Sequence, residues 1–167
     1  MHFEEAKQKF LQAWGALGSS WGVPKTMSQI HALLMVSPRP LSTEEIMDEL
    51  GISRGNCNMN VRALIDWGLV QKELKAGQRK EFFVAEKDIW KVTKQVMQER
   101  RKRELEPLAR ILEQVSDYEG GDSVETKEFD RCLEDVKRMS QNADKLMDTL
   151  IKADENWFTS YLIKKMT

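Results

Sequence analysis

Between Ser53 and Trp67 the chain reads Ser-Arg-Gly-Asn-Cys-Asn-Met-Asn-Val-Arg-Ala-Leu-Ile-Asp-Trp. On a helical wheel Cys57, Val61, Leu64 and Ile65 fall together and are expected to face a core. Gly55, Asn56, Met59, Arg62 and Ala63 lie on or near the opposite side, flanked by Asn58 and Asn60. Asparagine weakens a helix by roughly a few tenths of a kcal/mol relative to alanine, so a helix with no further task seldom carries three in five residues. The same side chains suit one chemistry well. A carboxamide can donate to and accept from N6 and N7 of adenine together, and a guanidinium pairs with guanine. The plain alternatives are a solvated face for the asparagines and a core position for Met59 in a twisted helix.

Other chemistries lack their residues. The two histidines, His2 and His31, are isolated, and Cys57 and Cys132 share no spacing motif, so no zinc-type ligand set is expected and the thiols read as reduced packing residues. No nucleophile, base and orienting residue stand in a recognisable pattern, and no phosphate-cradling loop appears. The expectation is a protein that is not an enzyme and needs no cofactor or metal. The start, Met1-His2-Phe3-Glu4-Glu5, has no apolar h-region, and no run of 18 apolar residues occurs, so neither a signal peptide nor a membrane span is expected and the expected location is cytoplasmic.

The 167 residues carry a formal net charge of −1, which by itself gives no reason to expect a polyanionic partner. The distribution does. From Ser53 to Lys80 there are six cations (Arg54, Arg62, Lys72, Lys75, Arg79, Lys80) against two anions (Asp66, Glu73), a local net of +4. Screening confines charge effects to roughly 8 Å at physiological salt, so the local balance governs phosphate attraction. Arg79 and Lys80 could alternatively be edge-strand charges that discourage aggregation. The later run Glu99-Arg100-Arg101-Lys102-Arg103-Glu104 is better read as a salt-bridged helix face than as a second phosphate site.

The elements that must hold these residues are legible. Apolar residues at three- and four-residue steps (Phe3, Ala6, Phe10, Leu11, Trp14, Leu17, Trp21) predict a helix from about His2 to Gly22. Gly15, Gly18 and Gly22 share a stripe on it, which points to close approach by another helix or to local irregularity. Pro24 opens a second, mostly buried helix that stops before Pro38. Ser42-Thr43-Glu44-Glu45 reads as a capping box for a short helix ending at Gly51. Ser53 caps the next, through about Trp67, giving a helix-turn-helix. Leu69–Leu74 and Arg79–Val84 then predict a β-hairpin, the wing, turning near Gly77 and Gln78. Beyond Glu86 the pattern is helical, with Pro107 expected to kink or break it and Glu119-Gly120-Gly121-Asp122 as a loop. Phe129, Cys132, Val136, Met139, Ala143, Leu146, Leu150, Ala153 and Trp157 alternate steps of three and four, a coiled-coil-type seam. The expected fold is mainly α with a small β-hairpin wing: residues 1–23 an N-terminal dimerisation helix, 24–86 a winged helix-turn-helix domain, 87–167 a helical dimerisation region.

Trp21-Gly22-Val23-Pro24, Pro40-Leu41-Ser42-Thr43-Glu44-Glu45-Ile46, Leu50-Gly51-Ile52-Ser53-Arg54-Gly55-Asn56, Met59-Asn60-Val61-Arg62-Ala63-Leu64, Asp66-Trp67-Gly68-Leu69-Val70 and Gly77-Gln78-Arg79-Lys80 together resemble the GbsR-like branch of the MarR-type winged-helix regulators, over about residues 12 to 112. The resemblance implies a homodimeric, repressor-like transcription factor whose terminal helices form the dimer interface. Ser53, Arg54 and Asn56 match the start of the family's recognition helix, Arg62 its later arginine, and Gly77, Arg79 and Lys80 its wing. Asn58 stands where many relatives have serine. The DNA-contacting set is therefore expected to be Ser53, Arg54, Asn56, Asn58, Met59, Arg62, Lys75, Gln78, Arg79 and Lys80. The dimerisation set is expected to be Phe10, Trp14, Val136, Met139, Leu146, Leu150 and Trp157. The partners expected are double-stranded DNA with an inverted-repeat operator and a second copy of the chain, with room for an unidentified small-molecule effector. Some relatives sense choline-like ligands, and five tryptophans could supply a cage for them, although tryptophans at helical spacing are usually core. The competing class is a winged helix used for protein–protein assembly without specific DNA binding.

Overall fold

The computed structural model describes residues 1–74, 77 and 80–153. They fall into two compact units, Met1–Val92 and one beginning at Thr93. In chain order the first unit holds α1 (Phe3–Ser20), α2 (Lys25–Val36), β1 (Leu41–Ser42), α3 (Thr43–Leu50), α4 (Arg54–Asp66), β2 (Val70–Leu74) and β3 (Glu81–Ala85). The three strands make an antiparallel sheet in the order β1-β3-β2, with Leu41 opposite Phe83 and Val70 opposite Ala85. This is a winged helix-turn-helix.

The core of this unit comes from the α2 run Ile30, Ala32, Leu33 and Leu34, with Ile46 from α3, Cys57, Val61 and Leu64 from α4, and Phe82 and Phe83 from β3. α1 lies along α2 through Leu11 and the glycine stripe. A Cβ at Gly15 would sit 2.8 Å from Cγ of Gln29, and one at Gly18 would sit 1.9 Å from Oγ of Ser28. Two of the three stripe glycines thus serve close helix contact, while Gly22 (φ 77°) ends α1.

The turn chemistry holds α4 in place from both ends. The Ser42 Oγ accepts from the Glu45 N–H at 3.3 Å, and the Glu45 carboxylate accepts from the Ser42 N–H at 2.7 Å, so α3 begins with a complete capping box. α3 ends at Gly51, whose φ of 62° is the left-handed region that a residue with a Cβ enters only at a steric penalty. After Asp66 the chain reverses at Gly68 (φ 68°). There the Leu69 N–H donates to the Leu64 carbonyl at 3.0 Å and the Gly68 N–H to the Ile65 carbonyl at 2.8 Å, a double closure that launches β2 directly from the helix end.

Three local expectations are corrected. The wing is not a lone hairpin, because Leu41-Ser42 adds a third strand beside β3. Two residues wedged between Pro40 and a capping box leave no room for an alternating pattern. Asn60 does not flank an exposed face; it is 4% exposed. Ile65, expected in the core, is 36% exposed, one position past the buried stripe of α4.

The second unit holds the end of α5 (Ile89–Arg100), a π-helical turn (Arg101–Leu105), α6 (Glu106–Ser116) and α7 (Val124–Lys152). Pro107 neither breaks the chain path nor leaves it undisturbed. Proline has no N–H and its ring crowds the carbonyl four residues back, and the helix widens just before it, the Glu106 N–H donating to the Arg101 carbonyl five residues earlier. The basic run is salt-bridged, as its flanking acids suggest. Arg101 holds Asp144 through two nitrogens at 2.6 and 2.8 Å, Arg100 pairs with Glu104, and Arg103 with Glu99. The Arg101 pairs tie the π turn to α7. Among the described residues no helix is long and apolar enough to cross a membrane.

Candidate nucleic-acid interface

α4 starts where Ser53 caps it, the Ser53 Oγ accepting from the Asn56 N–H at 3.3 Å. Cys57, Val61 and Leu64 are buried beneath it, which turns the opposite face outward. On that face Arg54, Asn58, Met59 and Arg62 are exposed, Met59 by 66%, so Met59 is not a core residue. Arg62 has no carboxylate within ion-pair reach among the described residues. An uncompensated guanidinium, a carboxamide and a thioether on one protruding helical face can meet guanine, adenine and a thymine methyl respectively.

Asparagine at three nearby positions turns out to mean two different things. The Asn60 side-chain nitrogen donates to the Asn56 carbonyl at 2.8 Å and to the Asn56 Oδ1 at 2.6 Å. Asn60 therefore satisfies its buried amide one turn back and fixes the Asn56 side chain. Asn56 is half-buried with its oxygen engaged by Asn60, which leaves its amide hydrogens to donate. Asn58 alone of the three is exposed.

Glu44 and Glu45, adjacent at the start of α3, organise the neighbouring cations. The Arg39 guanidinium bonds Glu45 at 2.6 Å, and with the Ser42 N–H it holds that carboxyl down at about 2. Glu44 bonds Arg54 at 2.8 Å through one oxygen, and its other oxygen lies 4.0 Å from Nζ of Lys80, just before β3 on the turn side of the wing. The Arg54 hydrogen bond keeps Glu44 below the usual carboxylate range. Lys72 pairs across the wing with Glu81.

Ser53, Arg54, Asn56, Asn58, Met59 and Arg62 are thus gathered along the outer side of α4, and Lys80 is joined to the same surface through Glu44. Lys75, Gln78 and Arg79 lie outside the described residues. Two residues of the surface lie outside the expected DNA-contacting set, Glu44 and Gly55, although Gly55 falls on the outer face by helical position. Glu44 read only as part of a capping sequence. Gly55 is exposed, has ordinary helical backbone angles, and a Cβ there would meet nothing within 4 Å. No packing within the described protein calls for glycine at that position, one residue from Arg54.

Of the expected dimerisation residues, Phe10 is exposed and Trp14 half-buried, its ring 6.3 Å from that of His31 and 5.8 Å from that of Phe10. Val136 and Leu150 are half-buried, whereas Met139 and Leu146 are exposed. Trp157 lies outside the described residues. Among the described residues no group of three or more His, Cys, Asp or Glu side chains could hold a metal ion.

Residues 21–81 match the model of the MarR family. The chain is 22% identical over 87 residues to the putative HTH-type transcriptional regulator YvaV of Bacillus subtilis (strain 168), covering 52% of this chain and 49% of that protein. It is also 22% identical over 87 residues to the HTH-type transcriptional repressor OpcR of the same organism, covering 52% and 47%. The chain thus aligns with about half the length of these curated relatives. A solved structure described as a transcriptional regulator matches with a TM-score of 0.65 at 20% identity, over 87% of this chain and 95% of the other, a likeness of fold.

Proposed function

We propose that this protein is a sequence-specific double-stranded DNA-binding transcriptional regulator of the GbsR-like, MarR-type kind, acting as a homodimer on an inverted-repeat operator, with repression as its sense. The observation that carries the reading is the outer face of α4, where Arg62, Asn58 and Met59 are exposed together on a helix whose other side is anchored in the core. α4 enters the major groove, with Ser53 and the Asn56 amide at its leading end. The wing, with Lys80, Arg79, Gln78 and Lys75, contacts backbone or minor groove. The relative OpcR is a transcriptional repressor by name, and repression extends here as part of the proposal. Two copies joined through α1 and α7 would set the half-sites roughly 34 Å apart.

Titration of labelled duplex at two salt concentrations tests the reading. Counterion release makes affinity fall steeply with salt when several phosphates are contacted, and that fall is expected. Binding that is absent or insensitive to salt would shift the assignment to a protein–protein assembly module.

A further inference from the structure

Two cations of the proposed interface are not idle in the free protein. Arg54, at the start of α4, and Lys80, on the turn side of the wing just before β3, meet the two oxygens of one carboxylate, Glu44, at 2.8 and 4.0 Å. The three side chains come from α3, α4 and the wing turn and all are substantially exposed, so the group sits on the surface. A carboxylate and a phosphodiester are alike in what they offer such cations: one negative charge shared by two outward oxygens. The neighbouring Glu45 cannot take this role, because Arg39 and the Ser42 N–H already engage it.

We propose that Glu44 is an intramolecular stand-in for a DNA phosphate, occupying Arg54 and Lys80 until a duplex displaces it. The inference rests on the DNA-binding reading above. Glu44 does two things at once. It holds Arg54 across the gap between α3 and α4 and ties Lys80 to the same point, so both cations are placed before DNA arrives. It also sets a threshold, since any duplex must replace an existing ion pair. Non-specific duplex offers phosphates alone and gains least. A cognate site bears the same cost but adds base contacts along α4, so it stays bound where random duplex does not. Glu44 is thus a positioning residue that lowers affinity for every duplex by one common factor, leaving base contacts along α4 to decide which sites stay occupied.

The test is fluorescence anisotropy of the full-length protein with a selected operator duplex and with a short random-sequence duplex, across a salt series. Glu44→Gln is expected to tighten random-duplex binding about three- to tenfold and to steepen its salt slope by about one, with a change of similar size on the operator. Glu49→Gln is the control. It removes the same charge from the same helix, where Glu49 pairs with Lys7 at 2.7 Å, and it should change little. A Glu44→Gln protein that binds random duplex no more tightly than native overturns the inference, as does an equal gain in Glu49→Gln. The gain should also vanish when Glu44→Gln is placed on Arg54→Ala/Lys80→Ala, and its persistence there is equally contrary. If Glu44→Gln fails to give a native-like thermal melt, Glu44→Ala is measured in its place. Native protein that binds neither duplex refutes the DNA-binding reading itself, a result distinct from native binding with an inert Glu44.

Discussion

Arg62 and Lys80 both carry one positive charge, yet their positions assign them different work. Arg62 projects from the middle of the outer α4 face, so Arg62→Ala is expected to weaken operator binding by about 1–3 kcal/mol and to relax preference at one base position. Lys80 lies on the turn side of the wing, off the α4 face, so Lys80→Ala should weaken binding to all sequences alike and flatten the salt slope by about one. Competition titrations with operator and random duplexes separate the two patterns. Gly55 gives a sharper contrast. Alanine there meets nothing in the protein and should leave the thermal midpoint unchanged or raise stability by up to about 1 kcal/mol, while a DNA backbone passing close to the helix start would be obstructed. A Gly55→Ala protein that is no less stable but binds DNA more weakly is the expected outcome; unchanged affinity would remove Gly55 from the interface. His31 belongs to stability instead. It is buried beside Trp14 with Nε2 lacking a hydrogen-bond partner among the described residues, and desolvation lowers its pKa from 6.5 to about 4. The neutral ring is therefore favoured in the fold. Its contribution is complete above about pH 6.5 and is lost as pH falls toward 4, because the unfolded chain takes up the proton first. Chemical denaturation across that window should show a decline on the order of 3 kcal/mol that a His31→Phe protein lacks.

At the scale of elements, what the sequence revealed was what depends on neighbours in the chain. The Ser42/Glu45 box, the Gly51 turn and the Ser53 cap each join groups a few residues apart, so spacing alone specifies them. Asn60 was misread because its role depends on which side of α4 meets α2 and α3, a tertiary fact, and because an amide that bonds one turn back can be buried where asparagine usually is not. Glu44 was missed for the same reason, since its partners are 10 and 36 positions away. The π turn before Pro107 lies between the two: the proline announces a disturbance, and the surrounding packing decides that widening relieves it. The contact of α1 with α2 offers a test of the glycine stripe. Gly18→Ala brings a Cβ within 1.9 Å of Oγ of Ser28 and 2.7 Å of its Cβ, so a loss of about 1–3 kcal/mol in stability is expected. Gly55→Ala in the same melting experiment serves as the open-space reference, and equal effects would contradict the close-approach account.

At the scale of the whole molecule, the heptad pattern of α7 resolves into two edges. Val136, Ala143 and Leu150 are half-buried within the protomer, while Phe129, Met139 and Leu146 remain exposed. Sequence periodicity could not divide these roles, because one three–four pattern describes both. In the proposed dimer, that exposed edge is the part of the seam available to a second copy. Leu146→Asp, at a side chain 61% exposed, should leave the melt of the protomer fold intact and shift sedimentation from dimer toward monomer, with loss of tight operator binding. A variant that remains dimeric would place the interface elsewhere.

The most direct measurement is selection of bound sequences from a random duplex pool by the native protein, run beside Arg54→Ala/Arg62→Ala. Enrichment of an inverted repeat with half-site centres about one DNA turn apart, by the native protein alone, is the predicted result. No enrichment by a folded native dimer, or the same motif recovered by the double variant, would contradict α4 as the reader of sequence.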